Sequence, residues 1–161
     1  MKARIPTRRA FTLLEALVVI IVLAIAIPPT VAFLDQSAAQ RADAINTQRA
    51  TTLAQCVMES VLADVNSTSP GLGYAALADI NTYVDSPTTG LRVRAADATD
   101  LYTDIGMSYS VTASAPVSST GASTGNAATD LFRTVTVTVS FPSAQQSSPV
   151  SISMSALVTD L

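Results

Sequence analysis

Arg8-Arg9-Ala10-Phe11-Thr12-Leu13-Leu14-Glu15-Ala16-Leu17-Val18-Val19-Ile20-Ile21-Val22-Leu23-Ala24-Ile25-Ala26-Ile27-Pro28-Pro29 sets a polar, basic leader directly before an unbroken apolar run and closes that run with two prolines. The run from Ala16 to Ile27 holds twelve residues. As a helix it extends only ~18 Å, short of the ~20 residues that a bilayer core requires. Apolar character resumes on both flanks, at Leu13 and Leu14 before it and from Val31 to Leu34 after it. A full span is therefore within reach, interrupted by Glu15, Pro28, Pro29 and Thr30. Lys2, Arg4, Arg8 and Arg9 precede the run, and the first charge beyond it is Asp35. That asymmetry predicts a cytoplasmic N-terminus and an outward-facing C-terminal body.

Glu15 stands at the mouth of the apolar helix. A carboxylate there costs about 2.5–3.5 kcal/mol on insertion scales if it sits at mid-membrane, and less near the interface. It either snorkels to the cytoplasmic interface or meets a cation. Pro28 and Pro29 withhold amide donors from the carbonyls of Ala24 and Ile25, and each ring crowds the preceding turn. Ile27 and Pro28 are also pushed toward extended conformations. These effects predict a kink or local unwinding around residues 25–29, with a second helix starting at Pro29 or Thr30.

The basic cluster, then Ala10-Phe11-Thr12-Leu13-Leu14-Glu15, then the long apolar run resembles the processing site of type IV pilins and type II secretion pseudopilins. The resemblance implies that a prepilin peptidase cuts between Ala10 and Phe11 on the cytoplasmic side and that Phe11 is then N-methylated. It further implies that Glu15, fifth after the cut, meets the N-terminal amine of an adjacent subunit during assembly. The electrostatics agree, since an unpartnered buried carboxylate is expensive and one facing an ammonium is largely compensated. Two features depart from the family pattern: Ala10 stands where Gly is usual, and the prolines lie a few residues earlier than its habitual helix proline. The rival reading is an ordinary secretory leader, cut on the far side of the membrane after Ala24-Ile25-Ala26 or Thr30-Val31-Ala32.

Working outward, residues 30–65 read as a continuing helix. Val31, Leu34, Ala38, Ala42 and Ile45 recur at helical steps, and Leu53, Val57 and Val61 resume the stripe, which should cover a sheet. Asn66-Ser67-Thr68-Ser69-Pro70-Gly71 ends the helix with turn residues; the glycosylation sequon inside it is read as chance. Residues 71–104 read as an ordered connecting loop. Period-two alternation appears at Met107, Tyr109 and Val111, at Val135, Val137, Val139 and Phe141, and at Val150, Ile152 and Met154, with Ser or Thr between. That pattern predicts a half-exposed antiparallel sheet of three or four strands. Residues 142–149 form a hairpin loop, and residues 114–130 a Ser/Thr/Ala/Gly-rich excursion expected to be mobile. The stretch from Arg133 to Leu161 resembles the tail of I-type or V-type minor pseudopilins.

Composition narrows the function classes. Histidine is absent, which removes the usual general base and metal ligand. Cys56 is the only cysteine, so no intrachain disulfide forms, and it reads as a small apolar side chain. Beyond residue 9, five arginines face all twelve acids, a net of −7, which disfavours nucleic acid as a partner. Some pseudopilins bind calcium, and Asp79, Asp85, Asp97, Asp100 and Asp104 are oxygen ligands of the type it takes. Their spacing matches no known cage, and a solvated acidic surface is the preferred reading.

The fold class expected is α+β: a long N-terminal helix, half membrane-embedded and half packed on a small antiparallel sheet, pilin-like. Its parts are a removed leader at 1–10, a membrane and filament-core helix at 11–34, and a periplasmic or extracellular domain at 35–161. No enzyme activity, cofactor or metal is expected. The resemblance implies a minor pseudopilin of a type II secretion-like pseudopilus, held in the bacterial inner membrane before assembly. Its partners would be other pseudopilins or pilins, the prepilin peptidase and methyltransferase, the inner-membrane assembly platform and membrane lipid. Two alternatives stay open: a minor type IV pilin for adhesion, motility or DNA uptake, and a binding module, anchored or secreted, with an ordinary signal peptide.

Overall fold

A helix rich in Ala, Val and Leu and a set of Ser/Thr-alternating strands assemble into the α+β arrangement expected. The computed structural model describes residues 12–160. Helix α1 spans Leu13–Val65. A 3₁₀ turn follows at Tyr74–Ala78, then helices α2 (Ile80–Asp85), α3 (Leu91–Arg94) and α4 (Ala96–Thr103). Strands β1 (Ser108–Ala113), β2 (Phe132–Phe141) and β3 (Val150–Thr159) complete the chain as one antiparallel sheet in the order β1-β2-β3. Contacts divide the chain into two units between Arg41 and Ala42.

In the second unit, Ala50, Leu53, Ala54, Val57, Met58 and Val61 of α1 are buried. They recur every three or four residues and so form one stripe. The stripe joins one core with Val135, Val137, Val139 and Phe141 of β2 and with Tyr109 and Val111 of β1. Val111 faces Val137, and Val137 faces Met154, so the apolar residues share one side of the sheet. The other side is hydroxylated, and Thr136–Ser155, Thr138–Ser153 and Ser140–Ser151 hydrogen-bond across β2 and β3 at 2.8–2.9 Å. The stripe is covered only from Ala50 onward, while Val31, Leu34 and Ile45 stay exposed.

Three expectations need correction. No second helix starts at Pro29 or Thr30: α1 passes through Pro28 and Pro29 without interruption. Proline's fixed φ is itself helical, and Thr30 Oγ1 donates to the Ala26 carbonyl at 2.7 Å, adding a bond beside the two that the prolines remove. The segment 71–104 is not a loop but four short helical turns, too brief for periodicity to reveal. Asp79 caps α2 by accepting from Thr82 N at 3.2 Å. Gly90 lets α3 start close by, since a Cβ there would lie 2.5 Å from the Ser86 carbonyl oxygen. The excursion at 114–130 is tied down: the nearly buried Asp130 carboxylate accepts from the amides of Thr124 and Gly125 and from the Thr124 hydroxyl, and Val117 bridges Phe132.

Arginine and tyrosine fasten the connecting turns to the core. Arg92 lies 4.7 Å over the Tyr109 ring, Arg94 5.5 Å over Tyr83, and Arg133 5.4 Å over Tyr74. Asp64 of α1 joins this set, accepting from the Tyr83 hydroxyl at 2.6 Å and pairing with Arg94. Burial, and then the bond to Asp64, push the Tyr83 hydroxyl's pKa well above its ordinary value.

Candidate functional site

The first turn of α1 is built by Thr12. Its carbonyl accepts from Glu15 N at 3.0 Å and Ala16 N at 3.1 Å, and its hydroxyl accepts from Glu15 N at 3.3 Å. Thr-x-x-Glu is the N-cap arrangement in which the hydroxyl takes up an amide that has no partner within the helix. Glu15 therefore occupies the third helical position, where its charge also lies favourably at the positive end of the helix dipole. The sequence signal for this local role is Thr12-Leu13-Leu14-Glu15 itself.

Glu15 is exposed. The two ion pairs among the described residues, Arg92–Asp85 and Arg94–Asp64, do not involve it. From Leu13 to Leu34 every large apolar side chain is exposed. Leu13 is 86% exposed, Leu14 73%, Ile20 66% and Ile25 71%. Fully burying one such side chain contributes about 1.5–3 kcal/mol, so a run of this length does not stay in water. Among the described residues α1 alone is long and apolar enough to cross a membrane. Glu15, Pro28 and Pro29 thus lie on one helix, whereas Ala10 and Phe11 fall outside the described residues.

The acids considered for calcium are dispersed among structural tasks. Asp79 caps α2, and hydrogen bonds from the Thr82 side chain and amide hold its carboxyl below the usual range. Asp85 pairs with Arg92 at 2.6 Å. Asp97 and Asp100 belong to α4, and Asp104 follows its last turn. No group of three metal-ligating side chains occurs among the described residues. Cys56 is a free, half-buried thiol on α1. A cavity of about 420 Å³ lies beside Asp79, bordered by Leu72, Ala75, Tyr83 and Thr89, and its only carboxylate is the one already engaged by Thr82.

Asp43 of α1 has a specific structural place. It accepts from Ala144 N at 2.7 Å and Ser143 Oγ at 2.8 Å, tying the loop between β2 and β3 to α1. The Ala144 amide, then the Ser143 hydroxyl, hold its carboxyl below the ordinary carboxylate pKa. A partner a hundred positions away in sequence leaves no local signal.

Residues 5–27 match the sequence profile of the family described as the prokaryotic N-terminal methylation motif. No curated protein and no solved structure matches the chain. The match takes in Arg8 and Arg9, Glu15 and the apolar run up to Ile27, and the helix that begins at Leu13 continues to Val65.

Proposed function

We propose that this type IV pilin-like chain, which carries the prokaryotic N-terminal methylation motif, is a structural subunit of a filament and, more narrowly, a minor pseudopilin of a type II secretion-like pseudopilus. One observation supports this above the others: the matched segment runs into the first half of α1, where the large apolar side chains from Leu13 to Leu34 have no cover among the described residues. In the membrane, lipid covers them; in the filament, the same helices of neighbouring subunits do. A prepilin peptidase cuts between Ala10 and Phe11, Phe11 is methylated, and Glu15 faces the amine of the next subunit. That pairing offsets the cost of burying the carboxylate and sets the axial register. Pro28 and Pro29 are where the helix bends on assembly. The small body, which lacks a disulfide, favours the pseudopilus over a surface adhesin.

Glu15→Val tests the assembly role. Insertion and processing should survive, because the change makes the helix more apolar, while recovery of the subunit with its filament partners in membrane pull-downs should fall about tenfold, the factor expected from losing one charge-assisted contact. Unchanged recovery contradicts the role given to Glu15.

A further inference from the structure

The two edges of the sheet are treated differently. At β1 the edge is partly covered: Arg92 Nη2 donates to the outward Tyr109 carbonyl at 3.1 Å and stacks over the same ring, and α2 lies beside the strand. At β3 no described residue other than those of β2 pairs with the ten-residue strand. Asp160 N donates to the Leu131 carbonyl, so Thr159 and Phe132 form a non-hydrogen-bonded pair. By the alternation of antiparallel ladders, Ser151, Ser153, Ser155 and Leu157 then turn their N–H and C=O groups away from β2. Exposed edges are ordinarily blunted by charge, proline or a bulge. Val150–Thr159 contains no charged residue and no proline, and it pairs with β2 residue for residue without a bulge.

A row of open backbone groups is matched by another extended strand. Side-chain chemistry then selects which one. The occupant must lay apolar residues beside the half-buried Val150, Ile152, Met154 and Ala156 and uncharged ones beside the serines. β3 of a second copy meets both demands. With Met154 opposite Met154 in antiparallel pairing, Ile152 faces Ala156 and Ser153 faces Ser155, so each side of the sheet stays continuous across the junction. Parallel pairing of two β3 strands would set the apolar side against the hydroxylated one, and a β1 edge whose Tyr109 carbonyl is already taken by Arg92 is the poorer partner for head-to-tail extension. From these observations we infer that the β3 edge is an interface between two copies of this chain, an isologous contact that closes as a pair and does not propagate. It is independent of Glu15 and of filament growth. One strand pair is small beside the roughly 1,200–2,000 Å² of a stable complex, so the association is concentration-dependent.

The full chain in detergent, with Cys56→Ser to leave one thiol, tests this by oxidative cross-linking. Met154→Cys should give a disulfide-linked dimer, since non-hydrogen-bonded partners bring their Cβ atoms close. Ser153→Cys and Ser155→Cys report registers shifted by two, and Ser110→Cys on β1 is the control that should stay monomeric. Adding Ser153→Pro removes an edge-directed N–H from both copies. Cross-linking should then fall about tenfold with the circular dichroism spectrum kept, because proline is tolerated at edge positions whose N–H faces outward. Should that variant misfold, Ser155→Lys places a charge on the edge at an exposed position and should act in the same direction. Glu15→Val should leave the cross-link intact, which separates this contact from filament assembly. No cross-link at 153, 154 or 155 above the Ser110→Cys control, or cross-linking only to a different protein, overturns the inference.

Discussion

Two stretches of one helix meet opposite fates. From Leu13 to Leu34 the side chains of α1 are almost uniformly apolar and exposed, and from Ala50 to Val61 a narrow stripe of the same residue types is fully covered. The difference lies in patterning. An all-round apolar surface has no polar side to turn toward water and requires an apolar surround, whereas a stripe of Ala, Leu and Val backed by Gln, Thr and Glu needs only one sheet face. Polar side chains on the second stretch are also satisfied locally, as Thr51 Oγ1 donates to the Thr47 carbonyl and Thr52 Oγ1 to that of Gln48. The first stretch finds no apolar cover among the described residues, and the second finds it in its own sheet.

The largest expected effect sets matched substitutions in the two stretches against each other. Leu53→Ala, at a fully buried position, should destabilise the body by about 2–5 kcal/mol in urea unfolding. Leu17→Ala, at a half-exposed one, should leave the same transition unmoved; a comparable loss from both would erase the distinction. Next in size, Thr12→Ala should remove the N-cap, worth about 1 kcal/mol. Amide exchange at Glu15 and Ala16 should quicken about fivefold, the factor that free energy sets, with exchange in the body unchanged. Protection kept at Glu15 would show that the cap does not hold that turn.

The smallest effect is on acid stability, and it belongs to the body alone. Asp43 and Asp79 have lowered pKa values through their hydrogen bonds. At Asp130 burial pushes upward, but the hydrogen bonds from Thr124, Gly125 and Ser123 prevail and leave it lowered as well. A carboxyl with a depressed folded-state pKa binds fewer protons folded than unfolded. Its stabilisation is therefore present above the unfolded value near 3.8 and is lost as pH falls through the folded one. Unfolding midpoints should drop as pH is lowered below about 4, and Asp43→Asn should flatten part of that slope; an unchanged slope would deny Asp43 its role in holding the loop.

What was legible in the sequence followed from repetition. The apolar run and all three strands are patterns sustained over several residues, and the helix end at Val65 is marked by the cluster of turn residues that follows it. Alternation of valine with threonine placed Val135, Val137, Val139 and Phe141 on the buried side without any knowledge of their partners. Helices of four to eight residues between 80 and 103 repeat too little to be seen, and their stability comes from Asp79, Gly90 and the arginine–tyrosine stacks. Those are tertiary contacts, as are Asp43 with Ala144 and Asp130 with its loop. The tandem prolines carry a local cost that does not end the helix, because the turns on either side carry α1 across two missing hydrogen bonds. At the candidate site, Glu15 was legible from its charge in an apolar setting, and its capping partner Thr12 lay unread three positions away.

Under the proposed function the N-terminal segment is processed for assembly and its apolar helix retained. Intact-mass and N-terminal peptide analysis of the native membrane or exported form measures this directly. The account predicts a chain beginning at Phe11 and carrying one extra methyl group, with residues 12–34 still attached. A chain beginning beyond residue 26, or one that keeps the arginine-rich leader, would contradict it.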